Sequence, residues 1–298
     1  MILSDGVRLH VEISGPADAP VTIVLLHGAC LDRRTWSHQV AALPDARVIT
    51  YDARGHGRSG ATPLRSATLT QLGADLAEVL RRHAPTGPVV LAGHSMGGMT
   101  VMEYAESFPV EFAERVAGLV FVASTAEGHT HTRYGLPPQI AHLMRAGETL
   151  GAGLLARSGA WHPHRAVLPV LRPAVRWLLF GDDHPDAGLS VTMKALGRAS
   201  LRSIGGFRAS IGAQQRLDTL AALGHLPSAV LVGDRDRLTP PACAESIADA
   251  LGGAEMTVFP GAGHMLMLER PAEVTAALLA VAERAARPDA RVGYEQAA

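Results

Sequence analysis

Ser95 lies within a Gly-x-Ser-x-Gly pattern that spans residues 93–97. A serine hydroxyl is a weak nucleophile, so it attacks a carbonyl only when a base takes its proton and the backbone presents it to the substrate. The flanking glycines permit the sharp strand-to-helix turn that this presentation needs, because a Cβ would forbid those backbone angles. The pattern predicts a nucleophilic serine, and a purely structural glycine-rich turn is the alternative.

A base and an acid for this serine are found further along the chain. His264 follows the apolar run 256–259, and Asp234 and Asp236 follow the apolar run 229–232. The histidine can take the serine proton, while an acid orients the imidazole and stabilises its positive form. Glu127 is a third candidate for the acid, because it also follows an apolar run.

These side chains can meet only if strands bring them to one edge of a sheet. Strand-like and helix-like stretches alternate, which predicts a doubly wound, mostly parallel α/β sheet with an edge strand first. Ser95, His264 and the candidate acids Asp234 and Asp236 then lie at the carboxyl edge, where such sheets bind their ligands. The predicted strands are 7–13, 21–26, 47–51, 89–92, 119–123, 229–232 and 256–259, and the predicted helices are 69–82, 99–106, 242–251 and 272–285.

The alternation breaks between residues 124 and 226, where no buried strand is predicted. A segment of this length is too long for a simple crossover. We predict a mostly helical cap at 125–225, inserted into a core formed by 1–124 and 226–298. Basic residues outnumber acidic ones in this segment, and most are expected on its solvated surface. An arginine facing inward would favour a carboxylated or phosphorylated substrate.

Five motifs in this order resemble the α/β-hydrolase superfamily, and the resemblance covers roughly residues 7–124 and 226–285. It implies the order nucleophile, acid, histidine, and it selects Asp236 as the acid rather than Asp234 or Glu127. The motifs are His27-Gly28 with Trp36 downstream, Asp52-x-Arg-Gly-x-Gly-x-Ser59, Gly93-His-Ser-Met-Gly97, Gly233-x-x-Asp236 and Gly261-x-Gly-His264.

An oxyanion hole needs two N–H donors. The backbone N–H of Met96, the residue after the nucleophile, is the first, and the loop after His27-Gly28 supplies the second. The resemblance implies that the second donor is Ala29, and the neighbouring Cys30 remains an alternative.

Hydrolysis of a carboxylic ester or lactone through an acyl-serine is the activity we expect. Carbon–carbon bond hydrolysis, acyl transfer, ring closure and perhydrolysis use the same three residues and stay open. Haloalkane dehalogenation and the usual epoxide hydrolysis are disfavoured, because relatives with those activities carry aspartate where Ser95 stands. A ligand-binding receptor on the same fold is the non-enzymatic alternative.

Other polar residues near these motifs are expected to have structural roles. His27 and His94 should hold turns by hydrogen bonds, and the turn that contains Asp52, Arg54 and Arg58 should be ion-paired. Trp36 is expected to pack in the core rather than to contact substrate.

Two pairs of histidines have a spacing that could suit a metal ion. They are His129 with His131 and His162 with His164, but neither pair lies on a predicted strand or beside a further ligand at a recognisable spacing. We therefore predict no metal site.

Charge and composition indicate a small-molecule partner. A net charge of -1 and a pI near 6.9 give no overall attraction to nucleic acid or to an anionic membrane. Two cysteines, no signal-peptide pattern and no apolar run of about 18 residues favour the cytoplasm. No cofactor is expected, and the oligomeric state stays open, with a homodimer as one option.

Overall fold

Seven strands form a single sheet in a computed structural model that describes residues 1–157, 159, 161–162, 167–182 and 185–287. The strands are β1 (His10–Ser14), β2 (Thr22–Leu26), β3 (Arg47–Asp52), β4 (Val89–His94), β5 (Val116–Val122), β6 (Ser228–Gly233) and β7 (Glu255–Phe259). Their spatial order is β1-β3-β2-β4-β5-β6-β7, and only β1 runs antiparallel to its neighbour. The predicted doubly wound, mostly parallel sheet is thus confirmed.

Both faces of the sheet are covered, which explains why the central strands are continuous apolar runs. Within β2, Val24 and Leu26 belong to one apolar cluster, whereas Ile23 and Leu25 belong to a second cluster on the other face. Trp36 is fully buried in the second cluster and therefore packs in the core, as predicted.

Helices flank the sheet and follow the strands in the described parts of the chain. They are α1 (Ser37–Ala42), α2 (Leu69–His83), α3 (Met96–Ser107), α4 (Pro109–Arg115), α5 (Pro138–Arg157), α6 (Leu168–Leu179), α7 (Asp186–Leu196), α8 (Leu201–Gly206), α9 (Arg208–Ala213), α10 (Leu217–Ala221), α11 (Pro241–Ala250), α12 (Leu266–Glu269) and α13 (Pro271–Ala285). None of these helices is long and apolar enough to cross a membrane.

Helices α5 to α10 lie between β5 and β6 in the chain, and the described residues of 125–225 contain no strand. This segment contacts the core through hydrogen bonds from the Ser200 N–H to Gly55 O and from the Leu69 N–H to Ser210 Oγ. The division into a cap at 125–225 and a core remains a prediction, and residues 288–298 lie outside the described residues.

The glycine-rich turn after β3 is held by ionic and backbone contacts. The Arg54 side chain is fully buried and donates to both carboxylate oxygens of Asp75 at 2.6 Å and to Asp5 at 2.7 Å. The Asp52 carboxylate accepts the backbone N–H groups of Arg33 and Arg58. The turn is therefore a structural element, as its charged residues predicted.

Replacing Asp75 with alanine should lower the free energy of unfolding by about 3–5 kcal/mol, because it leaves a buried guanidinium only partly paired. Denaturation with urea, followed by circular dichroism, measures the loss. Asp45→Ala is the matched control, since Asp45 is exposed on a turn. A loss at position 75 no larger than that of the control would contradict the prediction.

Candidate active site

Ser95 stands between the end of β4 and the start of α3, at the carboxyl edge of the sheet. Its φ of 51° and ψ of -118° lie in a region that L-residues rarely adopt, at a cost of about 1–3 kcal/mol. The other non-glycine residues with positive φ in the described chain are Cys30, Ala123 and Tyr134. The backbone therefore turns sharply at the predicted nucleophile.

Three glycines make room for this turn. A Cβ at Gly93 would lie 2.3 Å from the backbone N of Gly98, and one at Gly97 would lie 2.3 Å from Leu26 O. A Cβ at Gly98 would lie 2.5 Å from the Ser124 hydroxyl, which donates to Ser95 O at 2.9 Å. The spacing of glycines in the motif thus follows from close backbone packing around Ser95.

The imidazole of His264 contacts one carboxylate. His264 Nδ1 lies 2.8 Å from Asp236 Oδ2, and both side chains are nearly fully buried. An ionised carboxylate only accepts hydrogen bonds, so Nδ1 carries the proton and the neutral imidazole has its lone pair on Nε2. This is the tautomer that a general base requires.

Asp236 is itself fixed by the turn that follows it. Its Oδ1 accepts the N–H groups of Leu238 and Thr239, each at 2.9 Å. The Thr239 hydroxyl donates to Oδ2 at 2.8 Å and lies 3.2 Å from His264 Nδ1. All the contacts of the carboxylate therefore favour one orientation towards the imidazole.

The other candidate acids lie elsewhere. Asp234 Oδ1 accepts the N–H of Gly261 at 2.8 Å on the surface, which makes it a turn-stabilising residue. Glu127 pairs with His131 at 3.1 Å. Among the three candidates, only Asp236 contacts His264.

Ser95 and His264 lie on neighbouring segments. The rings of His94 and His264 are 4.7 Å apart, and His94 Nε2 donates to the backbone O of His264 at 3.0 Å. Among the described contacts, no hydrogen bond joins Ser95 Oγ to the imidazole. Such bonds are often long or poorly aligned until the substrate binds. The common edge, rather than a formed bond, therefore carries the assignment.

In the described part of the chain, the backbone N–H groups of the two predicted oxyanion donors have no acceptor. No described residue accepts a hydrogen bond from the N–H of Ala29 or of Met96, whereas the N–H of Cys30 donates to His56 Nε2 at 3.1 Å. A Cβ on Gly28 would lie 3.1 Å from the Ser95 Cβ, so this loop packs against the nucleophile turn. Ala29 rather than Cys30 is thus available as the second donor.

Buried histidines hold residues 27–30, the predicted oxyanion loop, and both ring nitrogens of His27 and of His56 form hydrogen bonds. His27 Nε2 accepts the N–H of Ala53 at 2.9 Å, and His27 Nδ1 donates to Gly28 O at 2.8 Å. Burial, reinforced by His27, lowers the pKa of His56 to about 3, and burial also lowers the pKa of His94 well below its usual value. His56 and His94 therefore stay neutral at physiological pH.

One wall beside the oxyanion loop is apolar. Met96 and Phe207, which belongs to the segment 125–225, lie in one buried apolar cluster, and Ala29 and Ile211 pack against it. A substrate group that lies along this wall would meet methyl, thioether and aromatic surface, which favours an apolar group.

No group of three or more histidine, cysteine, aspartate or glutamate residues in the described chain is arranged to hold a metal ion. His164 lies outside the described residues, so the pair that it forms with His162 in the sequence is not tested.

Sequence reasoning missed three residues that organise the site: His56, Thr239 and Glu269. His56 fixes the oxyanion loop and Thr239 fixes the acid. The Glu269 carboxylate accepts the N–H groups on both sides of His264. Only Thr239 leaves a local signal, because an aspartate three residues before a threonine can accept its N–H in a turn.

The chain belongs to the alpha/beta hydrolase family, whose profile matches residues 23–278. Among curated proteins it is 28% identical over 290 residues to RutD of Variovorax paradoxus strain S110, which is named as a candidate carbamate hydrolase. That match covers 94% of this chain and 98% of the relative. It is also 40% identical over 98 residues to 3-oxoadipate enol-lactonase 1 of Acinetobacter baylyi, covering 33% of this chain and 35% of that protein.

Solved structures share the whole fold. A thermophilic esterase from Thermogutta terrifontis superposes with a TM-score of 0.75 at 25% identity, over 96% of this chain and 97% of the esterase. The resemblance predicted from the motifs is therefore confirmed, and the protein is an alpha/beta hydrolase enzyme with hydrolase homologues.

Proposed function

We propose that this protein hydrolyses a carboxylic ester or lactone of a small molecule through an acyl intermediate on Ser95. The observation that carries the proposal is the buried 2.8 Å hydrogen bond between Asp236 and His264, beside the strained turn at Ser95. The esterase and lactonase names of similar proteins support an ester or lactone as the substrate class.

In the first half of the reaction, His264 Nε2 takes the proton of Ser95 Oγ as the oxygen attacks the substrate carbonyl. The negative charge that develops on the carbonyl oxygen is stabilised by the N–H groups of Met96 and Ala29. Each such donor contributes about 3 kcal/mol to transition-state stabilisation. The imidazolium then protonates the leaving alkoxide. Asp236 stabilises the positive charge of the imidazolium for as long as it exists.

In the second half, neutral His264 takes a proton from a water molecule that attacks the acyl-serine. The same two N–H groups hold the second oxyanion, and the imidazolium returns the proton to Ser95 as the acid leaves. Every step uses side chains and backbone of this chain together with water, so the proposed mechanism requires no cofactor.

An acyl or alcohol group of apolar character fits the site best, because Phe207, Ile211 and Met96 form the apolar wall beside the oxyanion loop. We also propose the cytoplasm as the compartment, since both cysteines are free and neither lies in a disulfide.

A fluorophosphonate probe tests the nucleophile directly. We expect the wild type to be labelled at one residue, identified by peptide mass spectrometry as Ser95, and Ser95→Ala to remain unlabelled. Ser37→Ala is the matched control, because Ser37 is an exposed serine near the same sheet. Labelling that persists in Ser95→Ala at the wild-type rate would refute the proposal.

Rates on a panel of substrates separate ester hydrolysis from its rivals. We expect p-nitrophenyl esters of short acyl chains or a lactone to be turned over faster than a diketone. Turnover of the diketone alone would favour carbon–carbon bond hydrolysis. Ligand-induced thermal stabilisation with no turnover of any substrate would favour a receptor.

A further inference from the structure

Glu269, the last residue of α12, has a buried carboxylate whose hydrogen-bond donors among the described residues are all backbone N–H groups. Its Oε1 accepts the N–H of Met265 at 3.0 Å, and its Oε2 accepts the N–H of Gly181 at 2.8 Å. The N–H of Gly263 is shared between both oxygens at 3.0–3.1 Å. One side chain thus joins two segments that are far apart in sequence.

Two of these N–H groups flank His264, the proposed general base. The backbone of His264 is held in addition by its own N–H, which donates to Leu179 O at 2.9 Å, and by its O, which accepts from His94. The loop that carries the imidazole is therefore fixed by backbone contacts on several sides.

The third N–H belongs to the segment that begins with the last residue of α6, within the predicted cap. This segment, residues 179–182, lies directly against the His264 loop, and Asp182 donates its N–H to Gly261 O at 2.8 Å. A Cβ on Gly181 would lie 2.0 Å from Gly261 O, and one on Gly263 would lie 2.5 Å from Gly181 N. Backbone therefore meets backbone here, with no side chain between the segments.

We propose that Glu269 is a positioning residue that clamps residues 179–182 to the His264 loop, residues 261–265. The imidazole then stays aligned only while the end of α6 remains packed against that loop. The proposal rests on the role of His264 in the proposed function. Because α6 continues directly into the clamped segment, a displacement of α6 would be transmitted to the general base.

The carboxylate cannot be replaced by an amide without loss. A glutamine at position 269 would present one oxygen and one NH₂ group to three N–H donors. Whichever way the amide turned, its NH₂ would face the N–H of either Gly181 or Met265. The substitution keeps the shape of the side chain and removes one side of the clamp.

Glu269→Gln should lower kcat on a p-nitrophenyl ester about 10- to 100-fold and change KM less than about threefold, since misplacement by about 1 Å costs up to 10²-fold. Hydrogen–deuterium exchange should accelerate at least about tenfold in residues 179–182 and in 261–265 together. Glu283→Gln is the matched control, because Glu283 is exposed on the following helix α13.

A second variant acts from the other segment and leaves the carboxylate intact. Gly181→Ala introduces a methyl group against Gly261 O, so it should reproduce both the loss of kcat and the faster exchange. The effects of the two substitutions on kcat should be less than multiplicative in the double variant, because both open one clamp.

The outcomes separate this inference from the proposed function. If the wild type has no esterase activity but Glu269→Gln still shows faster hydrogen–deuterium exchange in residues 179–182 and 261–265 together, the proposed function is refuted and the clamp is supported. Suppose instead that the wild type is active. A kcat of Glu269→Gln within about twofold of the wild-type kcat, with or without faster hydrogen–deuterium exchange, would overturn the role of Glu269 in positioning His264.

Discussion

Alanine at position 264 should lower kcat on a p-nitrophenyl ester by about 10⁴- to 10⁶-fold, because the proton of Ser95 then has no acceptor. The fold should survive the change. His264 is held by its backbone N–H and O, and these contacts remain when the imidazole is removed. The residual rate should reflect the N–H groups of Ala29 and Met96, which still stabilise the oxyanion.

Combining this variant with Ser95→Ala gives the more specific result. If the serine and the histidine act as one unit, the double variant should be no slower than either single variant, because each substitution alone stops the proton transfer. Stopped assays at high enzyme concentration, corrected for spontaneous hydrolysis, measure these rates. His38→Ala serves as the control, since His38 is exposed at the start of α1. Residual activity above about 1% in His264→Ala would exclude this histidine as the base.

The central strands could be predicted from sequence because burial on both faces makes them continuous apolar runs. The prediction of the edge strand was less accurate. The alternation at 7–13 predicted a strand over that whole range, but pairing with β3 begins only at His10. Val7 and Leu9 are nevertheless buried in the core cluster, so their apolar character reflects packing rather than strand pairing.

Helix α3 begins at Met96, three residues before the predicted start at Met99. Gly97 and Gly98 interrupt the apolar periodicity, so the pattern shows the helix only after them. The same two glycines are needed for close packing around the nucleophile turn. Because the site requires glycine at these positions, the apolar pattern placed the helix start too late.

The core of the site was accessible to sequence reasoning because each residue follows a strand at the carboxyl edge. His56 and Glu269, which hold the site, were not, since each accepts a hydrogen bond from a backbone N–H group distant in the chain. Glu269 and Gly181 are 88 residues apart, and His56 and Cys30 are 26 apart. A bond from a side chain to a backbone N–H places no constraint on the partner's residue type, so the sequence leaves no pattern to find.

Asparagine at position 236 should lower kcat by about 10⁴-fold, which is the cost of holding the imidazole in the wrong tautomer. The environment of Asp236 decides how the amide would turn. Oδ1 faces the two N–H groups of Leu238 and Thr239, which only an oxygen can accept. The NH₂ group is therefore forced into the position of Oδ2, opposite His264 Nδ1.

A donor at that position requires Nδ1 to be the acceptor, so the proton moves to Nε2 and the lone pair that should receive the Ser95 proton is lost. Asp234→Asn is the matched control: the same change two residues away affects exposed contacts with Gly261 and Arg235, and kcat should stay within about threefold. Comparison of kcat for the two variants, with thermal melts to verify folding, measures the effect. Similar rates for the two variants would mean that the acid orienting His264 is not at position 236.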